Sequence, residues 1–356
     1  MLLPIALLLH PIGLEPAPSW LVPLRQEIAA IDARTPGELG VYIKTTGERA
    51  ALHYQSERPW YLASTVKIPV AIAVLQRVED GDLALDDKLT LKASDYVDGS
   101  GDLLWQEPGT RVSIRSLLEK MLVNSDSTAT DMLIRRLGEE ALNAQIHDRM
   151  DVSGFGPITT LLQVRYDAYG ELHPAVKRLR NMDFIELKAS PFPDERLQTL
   201  LSKLGVTAAT LQSAGIPEAF EKYYALRRNS APLQSFGRLL ERLNAGELLS
   251  PTHTNFMLGL MEKMVTGEKR LKAGLPPHVR FAQKTGTQHG RICNVGLIHT
   301  ESQAHVSGDR AVVVAACAEK FGQQREAEAA LAAVGEALAK HHPYLQRKSL
   351  NAHAGN

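Results

Sequence analysis

Ser64-Thr65-Val66-Lys67, Ser125-Asp126-Ser127 and Lys284-Thr285-Gly286 occur once each, in that order along the chain. Their residue types suit one kind of chemistry, transfer of an acyl group to a serine hydroxyl. A serine hydroxyl is a weak nucleophile near neutral pH and needs a neighbouring base, and two side chains three residues apart on a helix share a face. Ser64 and Lys67 meet that requirement. A lysine serves as a base only when desolvation or nearby positive charge destabilises its ammonium, and Val66, Ile68, Pro69 and Val70 around Lys67 are apolar. Each string alone has a plainer reading: a capping serine and a surface lysine, a turn before a helix starting near Thr128, and a strand running into a Gly turn. The conjunction of all three points to a site.

These strings need elements to hold them. Residues 37–57 read as a β-hairpin around a Thr-Thr-Gly turn, with β-rich runs on either side. Ile68, Ala71, Ile72, Leu75 and Val78 recur at helical spacing, so Ser64 opens a mostly buried helix that ends at Asp80-Gly81. Ser113 caps a second helix, which runs towards Asn124, and Thr128–Leu137 forms another that stops at Gly138, so Ser125 sits on a short connection. Further helices are expected over 194–204, 217–227, 232–245 and 251–265, the last with Ser250 as N-cap and Pro251 at the first helical position. After Pro276-Pro277 the pattern changes to strands over 279–284, 292–299 and 311–318, then to a closing helix over 323–340. The expected fold is therefore α/β: a five-stranded antiparallel sheet formed by both chain ends, flanked by helices, with an inserted all-α lobe. One domain is expected over 26–345, with the sheet part at 26–63 and 276–345 and the lobe at 64–275; 346–356 reads as a disordered tail.

The 356 residues carry 40 basic and 40 acidic side chains, so there is no electrostatic footprint for nucleic acid. Met1–Leu9 is an apolar run followed by a Pro-rich stretch, and 1–25 reads as an export signal and linker, too short to span a bilayer and without a preceding Lys or Arg. A periplasmic or secreted monomer is expected. Cys293 and Cys317 fall on neighbouring strands, where a disulfide is geometrically possible; two buried free thiols are the expectation. No Cys/His cluster has metal-ligand spacing, and no metal or cofactor is expected.

Over roughly residues 30–340 the chain resembles the penicillin-recognising serine enzymes, most closely class A β-lactamases. The likeness rests on the three strings, on Glu79-Asp80-Gly81 leading into Leu89, on Leu248-Leu249-Ser250-Pro251, and on Gly267 followed by Arg270, Leu271 and Gly274-Leu275-Pro276. The resemblance implies that Ser64 is acylated, with Lys67 as base or proton relay and Ser125 passing a proton to the leaving nitrogen. It implies that Lys284 and Thr285 bind the substrate carboxylate, that N–H groups of Ser64 and Thr287 form the oxyanion hole, and that Gly286 lets substrate lie against the strand edge. Ser127 stands where the family usually has a substrate-binding asparagine, and its hydroxyl reaches less far. The Glu-x-x-Leu-Asn string that supplies the family's deacylating glutamate is not found in the stretch that should hold it, 158–231, which is expanded by a helical segment around 175–215. Asp167, Glu171, Glu218 and Glu221 are the candidate carboxylates there; none is assigned. The implied activity is hydrolysis of β-lactam amides. The alternatives are a D-Ala-D-Ala peptidase or related amidase or esterase, and a penicillin-binding sensor or pseudoenzyme that stays acylated.

Overall fold

A computed structural model describes residues 18–150, 152–190, 193–300 and 308–346. The run Met1–Leu9 and the chain beyond Gln346 lie outside them. The chain passes through α1 (Leu21–Arg34), β1 (Glu38–Thr45), β2 (Ala51–Tyr54), β3 (Pro59–Tyr61), α2 (Lys67–Glu79), β4 (Lys88–Thr90) and β5 (Arg111–Ser113). Seven helices follow: α3 (Ile114–Val123), α4 (Ser127–Leu137), α5 (Glu139–Met150), α6 (Leu161–Gly170), α7 (Asn181–Ala189), α8 (Pro193–Leu204) and α9 (Ile216–Ala225). Then come β6 (Ser230–Pro232), α10 (Leu233–Asn244), α11 (Pro251–Glu262), α12 (Leu271–Gly274), β7 (Arg280–Gln288), β8 (Arg291–His299), β9 (Val312–Glu319), α13 (Gln324–His341) and α14 (Pro343–Gln346).

Five strands form one antiparallel sheet in the order β2-β1-β9-β8-β7, so the two chain ends meet in its middle. Every residue of β8 and β9 is buried, because helices cover both faces, and this accounts for the unbroken apolar run Val312–Ala318. Alternation survives in what each side chain touches. Val312, Val314 and Ala316 pack with Leu24 and Ile28 of α1 and Leu331 and Val334 of α13. Val313, Ala315 and Cys317 face the other way, into a core shared with Phe236 and Leu240 of α10 and the buried α2. A third cluster joins Tyr61 and Ala63 to Val164, Tyr169, Phe184 and Phe220, so the expanded stretch packs as a unit beneath the turn that carries Ser64.

Three expectations change. The domain starts earlier than residue 26: α1 begins at Leu21, with Trp20 and Leu24 buried. Pro23 is compatible with this because first-turn N–H groups have no intrahelical partner to lose. β7 continues to Gln288 instead of ending at Lys284, so Lys284-Thr285-Gly286 lies in mid-strand, paired with Val295, Asn294 and Cys293. Cys293 and Cys317 are joined in a disulfide and are not free thiols: they are register partners on β8 and β9, with Cα atoms 4.0 Å apart.

Candidate active site

Ser64 lies on a 3₁₀ turn, Ala63–Val66, that leads directly into α2. Ala63, immediately before it, has φ +47°, a left-handed conformation costly for a residue with a Cβ. Ser64 is half-buried, whereas Lys67 is wholly buried at the start of α2. Ser125 occupies the connection between α3 and α4, also left-handed at φ +57°. Lys67 Nζ donates to the Ser125 carbonyl at 2.5 Å and to its Oγ at 3.1 Å, and Lys284 Nζ reaches the same Oγ at 2.9 Å. One hydroxyl therefore joins two buried lysines. Burial lowers the Lys67 pKa to about 7 against the opposing pull of Asp126 and Asp131, and burial together with the Lys67 charge pushes Lys284 well below its ordinary range.

β7 is an edge strand and passes close to the Ser64 turn. A Cβ at Gly286 would lie 2.4 Å from the Leu62 carbonyl and 3.1 Å from the Ser64 nitrogen. Glycine is required there by this approach of protein backbone, before any substrate is considered. Thr285 Oγ1 shares a 2.7 Å hydrogen bond with Thr266 Oγ1, and Thr287 lines the same cleft as Ser64 and Ser127.

Residues to which the sequence reading gave no role hold this cluster in place. Asp126 caps α4 through Ala129 N and accepts from the N–H groups of Asp102 and Leu103. This clamps the 99–103 loop against the Ser125 turn so closely that a Cβ at Gly101 would lie 2.1 Å from the Asp126 carboxylate. Arg270, buried behind β7, donates to the carbonyls of Gly286 and Cys293 and to Thr287 Oγ1. Asp131 is buried on α4 and accepts from Leu161 N at 2.6 Å and Leu162 N at 2.9 Å, fixing the start of α6 at the cleft. Its pKa is raised to about 6 by desolvation, against the two N–H bonds. The sequence signal for Asp131 was a lone acid within the apolar face of a helix.

The cleft has a volume of about 330 Å³, and none of Asp167, Glu171, Glu218 and Glu221 lines it. Asp167 is bound to Arg228 at 2.5 Å, Glu221 to Arg291 at 2.6 Å and Glu218 to Lys222 at 3.0 Å. Asp98 does line it, but its carboxylate is held by Arg165 at 2.6 Å. Among the described residues no group of three or more His, Cys, Asp or Glu is arranged to hold a metal ion, and no helix is long and apolar enough to cross a membrane.

A sheet closed by both chain ends, a helical lobe, and a serine-bearing turn at their junction define the β-lactamase/transpeptidase-like architecture of serine hydrolases. The β-lactamase enzyme family model matches residues 23–153 and 189–342, and the chain belongs to that family. A β-lactamase of Mycobacterium tuberculosis H37Rv is 25% identical over 332 residues, covering 92% of this chain and 89% of the relative. The β-lactamase of Sphaerobacter thermophilus superposes with a TM-score of 0.64 at 23% identity, over 90% of this chain and 97% of that one. A mutant of PBP-A solved as an acyl-enzyme complex with penicillin G gives a TM-score of 0.65 at 20% identity, over 92% and 98%.

Proposed function

We propose that this protein is a serine hydrolase that opens β-lactam amide bonds through an acyl-enzyme on Ser64. The observation that carries the reading is the convergence of Lys67 and Lys284 on the Ser125 hydroxyl beside the Ser64 turn. In this reading Ser64 Oγ attacks the amide carbonyl and its proton passes to the neutral amine of Lys67, available because burial brings that pKa to about 7. The developing oxyanion takes hydrogen bonds from the N–H groups of Ser64 and Thr287, each contributing about 3 kcal/mol. As the C–N bond breaks, Ser125 gives its proton to the leaving nitrogen and is refilled by Lys67 across the 3.1 Å contact. Lys284 and Thr285 hold the substrate carboxylate, and Ser127 faces the acyl side chain. Water then cleaves the Ser64 ester.

A second reading is favoured by one observation: among the described residues lining the cleft, the one carboxylate, Asp98, is tied to Arg165. Without a free carboxylate to activate water the acyl-enzyme persists, as in a penicillin-binding sensor or a D-Ala-D-Ala peptidase slowly released from penicillin. Intact mass and turnover with a chromogenic cephalosporin separate the two. Repeated turnover supports the hydrolase; a stable adduct supports the second reading; and Ser64→Ala abolishes both signals. Unchanged turnover in Ser64→Ala refutes the nucleophile. We also propose a periplasmic or secreted location, supported by the apolar Met1–Leu9 run and by a disulfide of the kind that persists in oxidising compartments.

A further inference from the structure

The Ser64 cleft carries unbalanced positive charge. Arg165 of α6, Lys188 of α7 and Arg196 of α8 all line it, against Asp98 as the only lining carboxylate among the described residues. Asp98 and Arg165 neutralise each other in a contact where their side chains are 8% and 12% exposed. Lys188 and Arg196 are left over. The excess is local, because the chain as a whole has as many acids as bases. Arg196 is fixed in place by donating Nε and Nη2 to the carbonyls of Leu187 and Ser190 at the end of α7. The charged groups around the Lys188 ammonium are Asp98, Arg165 and Arg196, so it faces two cations and a carboxylate already engaged. Two like charges gathered at one wall of a cleft are a cost unless an anion comes between them.

The family model stops at 153 and resumes at 189, so Arg165 and Lys188 both come from the stretch it leaves unmatched. Two of the three cations of this wall thus come from outside the matched segments, and the wall is separate from Lys284 and Thr285, to which the proposed function gives the carboxylate beside the scissile bond. We propose that Lys188 and Arg196 form a subsite for a second carboxylate, carried on the acyl side of the substrate, so that the preferred substrates are dianionic amides. This inference rests on the reading that acyl donors enter the Ser64 cleft, and it adds which acyl groups are selected.

The test uses equilibrium binding to Ser64→Ala, measured by calorimetry, so that no covalent step is needed. Carbenicillin and benzylpenicillin share a skeleton and differ by a side-chain carboxylate. Carbenicillin is expected to bind about tenfold more tightly at low salt, with the margin shrinking as salt screens the contact. In Ser64→Ala/Lys188→Glu the preference is expected to reverse. Equal affinities, a margin unaffected by Lys188→Glu, or no binding of either compound would overturn the subsite. The acylation reading is judged separately by adduct mass on the wild-type protein. Adducts or turnover without charge preference refute the subsite alone, whereas charge-selective binding with neither adduct nor turnover refutes the nucleophile alone.

Discussion

At Lys67 burial and the neighbouring carboxylates act against each other. Desolvation lowers its pKa from 10.5 to about 7, Asp126 and Asp131 oppose the shift, and Arg165 and Lys188 add to it. Two consequences differ in kind. If the neutral amine is the base, the acylation rate rises with pH through about 7 and levels off above it; stopped-flow adduct formation at pH 5–9 checks this, and a flat profile removes Lys67 as the base. For stability, the folded state holds fewer protons than the unfolded chain between about 7 and 10.5, so this group makes stability rise with pH across that window and contributes no slope below it. Lys67→Met removes that slope in denaturant titrations while abolishing acylation. The three strings were legible because each type of side chain has a chemical reason to stand near the next. The supporting groups were not, since nothing in the spacing of Asp98 and Arg165, or of Asp131 and Leu161, reveals that folding brings them together.

Among the elements, α6 depends on a side chain from outside itself. Thr160 caps it through Gln163 N, while the N–H groups of Leu161 and Leu162 are satisfied by the buried Asp131. Asp131→Ala leaves two donors, one buried and one part-buried, without their partner and opens a small cavity. The expected loss is about 2–4 kcal/mol in chemical denaturation, with a weaker grip on the cleft wall that carries Arg165. Asp131→Asn keeps one acceptor and is expected to lose about half of that; equal losses in the two variants would place the effect in packing instead. Helices with caps and apolar stripes, such as α3 behind Ser113 and α11 behind Ser250, were readable to within a few residues. The three-residue strands β3 and β6 were not, because the pairing of Trp60 with Ala231 is a long-range contact with no local pattern. The length of β7 was likewise set by its partner: Thr285-Gly286 has the local chemistry of a turn, yet hydrogen bonding to β8 carries the strand through to Gln288.

For the molecule as a whole, the sheet that both chain ends build also fixes the redox state it needs. Cys293–Cys317 links β8 to β9 across a sequence separation of 24 within the face that backs Gly286. Constraining a loop of that size in the unfolded chain is worth about 3 kcal/mol in the chain-entropy model. Both cysteines are buried at 1% exposure, so a thiol reductant reaches them only when the sheet opens. The native protein is therefore expected to keep its disulfide in dithiothreitol alone and to lose it in dithiothreitol with denaturant. Blocking the thiols with a small reagent would add bulk to a packed core, so the comparison is made with Cys293→Ala/Cys317→Ala against the oxidised wild type in urea. A drop of about 3 kcal/mol places the bond's contribution in the unfolded chain. A drop below about 1 kcal/mol means that the hydrogen bonds and packing of the five strands already hold the pair, and the argument from the disulfide to an oxidising compartment then loses its energetic support.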